Sequence, residues 1–388
     1  MIRHSITASL LLATFAASSA AAQAEPGFHD APFDEDHWTF SGPDVRPVGA
    51  LGQKALRLQD GTATLKIPDF STGIIEFDVL LASEAPIYTG LRFHGRDKGE
   101  YEYFYLRAER SGMGDATQYT PVFNGDQGWQ IYSGPEFSSE EGFKRGGWNH
   151  VEARIYPDSA DIFINGRRSL RITDLKTSER SGYVALTSSF GPLFPFNQVF
   201  YANVRYSLEP LARPADMPAP HHHEPAGLVR QWHVSAAMPL ADAMALATAK
   251  PSSRPATWSN LPVESNGIAN LARIVAKSEK NDAAIAEFEV TAKSAGPRMM
   301  RFGYSDAVTI LVNGKPLFQG DAQFLSRDLQ YLGTVGFKDV VAVPLQRGAN
   351  RISFVVKESY GGWAAAAEFV DAAGLSGRGL SATIIPAP

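Results

Sequence analysis

The chain has 388 residues, a formal net charge of −5 and not one cysteine. Without thiols there are no disulfides, thiolate metal sites, cysteine nucleophiles or lipidated N-terminal cysteine. A mildly acidic chain without basic runs also excludes nucleic acid and anionic membranes as expected partners.

Met1-Ile2-Arg3, the apolar run from Leu10 to Phe15 and the end Ala22-Gln23-Ala24 follow the order of a secretory signal peptide, with cleavage expected after Ala24. The apolar run falls well short of the roughly 20 residues that span a bilayer. No later segment supplies a span, so a soluble protein exported to the periplasm or the exterior is expected. The remaining length exceeds what a single core usually organises, which predicts two domains.

After a polar stretch from Glu25 to Glu35, the chain breaks into short alternating runs separated by Gly, Pro, Asn and Asp. Examples are Ala55 to Leu58, Ala63 to Ile67, Gly73 to Val79, Asn149 to Ile155, Ala160 to Ile164 and Tyr201 to Tyr206. Period-two alternation at this spacing predicts an antiparallel β-sandwich over residues 36–208. Residues 209–226, Pro-rich and patternless, read as a linker. His221, His222 and His223 within it have the composition of a transition-metal site, but a Pro-flanked linker lacks the groups that fix ligands, so a solvated linker is favoured. A second β-rich domain is expected over 227–372, with one short helix from Leu240 to Ala249, then an edge-like or disordered tail over 373–388. Asn165-Gly166 and Asn313-Gly314 each follow a strand and precede a basic residue, which predicts two tight hairpins. The expected class is all-β, two jelly-roll sandwiches joined by a Pro-rich linker.

Strand phase nominates a site in the stretch from Tyr88 to Tyr132, the densest aromatic cluster in the chain. In Tyr101 to Ala108, Phe104, Leu106 and Ala108 take the core side, which leaves Tyr101, Tyr103, Tyr105 and Arg107 outside. The same alternation buries Leu91 and Phe93 and exposes Arg92 and His94. It buries Trp129 and Ile131 and exposes Gln130 and Tyr132. The loop from Ser111 to Asn124 adds Asp115, Gln118, Tyr119 and Asn124, which form either a rim or a simple cap on the sheet. Tyr faces stack on the C–H face of a sugar, and Arg, Gln and Asn pair with its hydroxyls, so this set points to carbohydrate. The competing explanation is a Tyr ladder that stabilises the sheet through cross-strand pairs.

At Thr89 to Phe93, Tyr101 to Arg107, Asp115 to Pro121, Asn124-Gly125, Trp148 to Val151 and Asn165-Gly166, the chain resembles the concanavalin A-like lectin/glucanase superfamily, in particular laminin-G-like modules and the domain associated with 3-keto-disaccharide hydrolases. The resemblance implies a jelly roll with its ligand on the concave face. The second half, at Tyr304 to Asp306, Ile310 to Lys315, Pro344 to Asn350 and Gly361 to Trp363, is similar to galactose-binding-like sandwiches. Glucanases of the superfamily carry a motif E-x-D-x-E whose two Glu act as nucleophile and acid. Here Glu76 and Asp78 match and Leu80 stands where the second Glu would be.

Catalysis would need another acid/base pair, for which His94, Glu152, Asp115 and Tyr105 are the candidates. No spacing singles out two of them, so binding is favoured over a glycan hydrolase or keto-sugar lyase. No cofactor is expected, apart from a lectin-type Ca²⁺ through Asp115 and Asp126. A third reading is a structural or interaction module that uses Trp363 and the Gly361-Gly362 loop against a partner protein.

Overall fold

A computed structural model describes residues 27–81, 86–189, 198–249, 258–328 and 332–380. The predicted signal peptide, and Glu84 at the end of the glucanase-like stretch, lie outside the described residues. The regular structure of the described residues is nearly all antiparallel strand, arranged as two sandwiches.

In the first sandwich the back sheet runs Arg167–Ile172, Ala160–Ile164, Trp148–Ile155, Gly73–Leu81, Val199–Ser207, Gln53–Gln59, Asp44–Ala50. The front sheet runs Asp126–Gln127, Thr117–Phe123, Glu100–Leu106, Tyr88–Asp97, Tyr183–Ser189, Gly61–Leu65, Trp38–Ser41. Phe77, Val79, Leu91, Phe93, Phe104, Leu106, Val151 and Tyr201 fill the space between them. Each comes from the apolar phase of an alternating strand, which is why the sheets pair through these faces.

The second sandwich packs a larger sheet around Ala283–Ala292 and Gly348–Lys357 against a smaller one around Gly296–Ser305 and Ala364–Phe369. Trp232, Phe288, Phe302, Phe354 and Trp363 form its core. The helix Leu240–Thr248 occupies the predicted stretch and lays Ala243 and Ala247 on Ile285, Leu311 and Val355. Both predicted hairpins turn through left-handed pairs, Asn165 (φ 51°) with Gly166 (φ 79°) and Asn313 (φ 52°) with Gly314 (φ 79°). Asn124 (φ 50°) and Gly125 (φ 80°) make a third turn of this kind.

Trp363 departs from its proposed role at a partner surface. It is fully buried, and its indole N–H donates to the Val356 carbonyl at 3.3 Å. In the tail, Leu375–Ser376 forms a short edge strand on Ala283–Ala292.

The two cores are continuous. Ile268, Val335, Ala364 and Ala366 of the second sandwich belong to the same buried cluster as Ile131, Tyr132 and Phe137 of the first. Residues 209–226 run along this seam. Arg213 reaches Asp158 at 2.7 Å, Met217 is buried, and His223 meets Glu368 at 2.8 Å. His221 lies 3.8 Å from Glu136. Among the described residues no group of three or more His, Asp or Glu is placed to hold a metal. No helix among them is long and apolar enough to cross a membrane.

Candidate functional site

The front sheet sets the site because alternation gives it a second, outward face. Arg92 pairs across strands with Tyr103, and Tyr105 pairs with both Gly90 and Gln118, so these residues share one side. That face is not open. Tyr101, Tyr103 and Tyr105 are 2–4% exposed and form their own cluster with Val122, flanked by Tyr88 and Tyr183. Tyr103 stacks on Tyr105 at 4.9 Å, and the Arg92 guanidinium lies 4.5 Å over Tyr101. The expected phase holds for these residues. The ladder explanation accounts for Tyr101 and Tyr103, which are outside the lining of the neighbouring cleft.

A cleft of about 750 Å³ opens where this face meets the second sandwich. Tyr88, Tyr105, Arg107, Arg110, Asp115 and Trp129 line it from the first sandwich, and Lys277, Phe324 and Tyr360 from the second. The size is that of a small-ligand site, roughly 300–1,000 Å³. Trp129 is half-buried, with Phe324 and Tyr360 each 6.0 Å from its ring. Phe324 and Tyr360 are 49% and 59% exposed, so three aromatic faces are presented together.

The polar lining is built from ion pairs. Arg107 reaches one oxygen of Asp115 at 2.7 Å and Arg110 the other at 2.9 Å. Arg107 also meets Glu109 at 3.3 Å and lies 5.6 Å over the Tyr88 ring. Deeper in, Lys277 joins Asp126 at 3.2 Å and Glu358 at 3.5 Å, and donates to the Ser359 carbonyl at 3.1 Å. Burial pushes the Asp126 carboxyl up. Burial first, and then the charges of Asp306 and Asp126, push Glu358 up to about 8.

Several expected binding residues have other work. The stretch Trp129 to Tyr132 is a turn rather than a strand, because Ile131 and Tyr132 close back on the Gly128 carbonyl. Alternation therefore fails there, and Trp129, expected in the core, faces the cleft.

Gln130 and Tyr132 are hydrogen-bonded to the second sandwich. The Gln130 backbone N–H donates to the Gly361 carbonyl at 2.9 Å, and its side chain donates to the Leu332 carbonyl at 3.1 Å. Tyr132 donates to Glu264 at 2.7 Å. Asn124 donates to the Ala272 carbonyl at 2.8 Å.

Gln118 is buried. It accepts from the Tyr105 hydroxyl at 2.7 Å and donates to the Trp129 and Tyr132 carbonyls at 3.0 and 2.7 Å. This relay holds the Trp129 turn in place. Tyr119 points into the core, where it donates to the buried Glu102 at 2.6 Å.

His94 is the clearest correction. A bulge between Phe93 and Asp97 puts His94 at φ 49°, and the extra residue turns its ring inward against Phe93 and Phe70. Its Nε2–H donates to the Ser71 carbonyl at 2.7 Å, and burial pushes its pKa down to about 4. Glu152 is on the back sheet, ion-paired to Arg154, on the opposite side of the sandwich from the cleft. Glu76 and Asp78 lie on that same back sheet, paired to Arg205 and His150. Of the acid/base candidates only Asp115 and Tyr105 reach the cleft.

Tyr88, Arg110, Lys277, Phe324 and Tyr360 were missed as site residues, and Asp126 was named only as a possible Ca²⁺ ligand. Tyr88, Arg110 and Asp126 lie in or beside the nominated stretch. Lys277, Phe324 and Tyr360 had no local signal, since only the packing of the two sandwiches brings them there.

No protein family matches the chain, and no curated protein matches it either. Among solved structures it is similar to the carbohydrate binding module CBM66 from Bacillus subtilis (13% identity, TM-score 0.34, 44% of this chain and 96% of that one). It is also similar to a Bacillus licheniformis beta-glucanase (13%, TM-score 0.35, 47% and 99%). A third is the laminarinase from Flavobacterium sp. UMI-01 (12%, TM-score 0.35, 46% and 96%). At these scores the likenesses assign no activity.

Proposed function

We propose that the chain is a carbohydrate-binding protein whose site is the cleft between its two sandwiches, rather than the face of the first alone. The observation that carries this reading is the juxtaposition of Trp129, Phe324 and Tyr360 above the ion-paired Arg107, Asp115 and Arg110. Aromatic faces take the C–H side of a pyranose, and the ion pairs offer fixed donors and acceptors to its hydroxyls. Binding is favoured over turnover because Asp115 and Asp126, the carboxylates lining the cleft, are each held by a cation. A leader-like N-terminus and a cysteine-free chain suit a periplasmic or extracellular protein, where glycans are met.

The test is calorimetric titration of the full chain with soluble oligosaccharides. Trp129→Ala and Tyr360→Ala should each weaken binding by about tenfold, roughly one aromatic contact. Unchanged affinity in both variants would remove the cleft as the site.

A further inference from the structure

We propose that the cleft selects an uncharged saccharide and rejects uronate- or sulfate-bearing glycans; this rests on the saccharide reading above. The ground is the state of its cations. Three basic side chains line the cleft, Arg107, Arg110 and Lys277, and each is matched by an acidic partner. Asp115 is shared oxygen by oxygen between the two arginines, and Glu109 takes a second contact from Arg107. Lys277 is held between Asp126 and Glu358. With Glu358 pushed up to about 8, its side chain carries a proton at neutral pH, and Asp126 alone balances Lys277.

Arg92, the remaining basic group of the outward face, is laid over Tyr101 and Tyr103 rather than lining the cleft. A ligand carboxylate or sulfate would therefore meet no available cation. To gain one it must displace Asp115 or Asp126, and the displaced carboxylate would stay in a largely buried place without its partner, which is costly. A hydroxyl needs no displacement. Each carboxylate oxygen accepts more than one donor, so a sugar O–H adds to the existing pairs.

The experiment measures the full chain against two sets of soluble fragments at physiological salt. One set is neutral (gluco-, manno-, galacto-, xylo- and arabino-oligosaccharides), and the other is anionic (alginate, polygalacturonate and sulfated galactan fragments). The expected result is binding of a neutral fragment with every anionic fragment at least tenfold weaker. Asp115→Asn, which leaves Arg110 without a carboxylate and Arg107 with Glu109 alone while keeping the shape, should narrow that gap several-fold by improving anionic binding.

An anionic fragment that binds as tightly as the neutral ones, with affinity lost in Trp129→Ala, would overturn this inference and leave the cleft reading standing. So would an Asp115→Asn variant, folded by circular dichroism, whose preference is unchanged. Binding of neither set would overturn both readings.

Discussion

Tyr132 of the first sandwich donates its phenolic hydrogen to Glu264 of the second over 2.7 Å, and Arg273 approaches the same carboxylate oxygen at 2.9 Å. Asn270 completes the arrangement by donating to the Tyr132 oxygen at 3.1 Å. One oxygen of a buried carboxylate held from both sandwiches makes their docking part of the folded state.

Unfolding is therefore expected to be one cooperative event. Tyr132→Phe removes a charge-assisted hydrogen bond and should cost about 1.5–3 kcal/mol. In urea, tryptophan fluorescence and far-UV circular dichroism should shift together. Two resolved transitions in the wild type would contradict the shared core.

Gly361 sits at φ 110°, and a Cβ there would stand 2.4 Å from the Gln130 side-chain oxygen. Gln130 cannot easily retreat, because Ser305 and the Leu332 carbonyl hold its amide at 2.9 and 3.1 Å. Gly361→Ala should destabilise by about 1–3 kcal/mol from backbone strain alone and weaken saccharide binding by loosening the wall that carries Tyr360. A thermal melt and one titration check both effects.

Glu358 gives a pH signature. Its folded-state value of about 8 lies above that of a free glutamate, roughly 4.3. Between those two values the folded chain keeps a proton that the unfolded chain has released. Stability is thus full below the lower value, and is lost as pH rises through the upper one, by at most about 1.4 kcal/mol per pH unit. Glu358→Gln should flatten the slope between pH 5 and 8 relative to wild type in urea midpoints. Parallel curves for the two proteins would show that the side chain does not titrate this way.

His94 predicts the opposite slope. Its value is depressed to about 4, so its contribution is present above the ordinary histidine range and is lost as pH falls through about 4. His94→Ala should cost about 2–4 kcal/mol through the lost ring packing and the lost bond to Ser71. Saccharide affinity of the folded variant should not change. A selective loss of binding would return His94 to the site.

The sequence was most legible where strands alternate without interruption. Tyr101, Tyr103 and Tyr105 were placed on the correct side of their strand because nothing breaks the period between Glu100 and Leu106. It misled where one residue departs from extended geometry. His94 sits at a bulge that alternation alone does not reveal, and Trp129 opens a turn whose composition reads as strand. Burial was harder still, since side and exposure are different properties. The tyrosines point outward and are covered by Arg92 and one another. Lys277, Phe324 and Tyr360 enter the cleft only because Ile268, Val335, Ala364 and Ala366 join the first core, a contact between segments far apart in the chain.

A cavity whose opposing walls belong to different halves turns its occupant into mortar. Any molecule resting on both Trp129 and Tyr360 touches both halves at once, so occupancy should raise the melting temperature of the entire chain by mass action. A drop of sugar solution and a heating ramp would then register the fit before its chemistry is known.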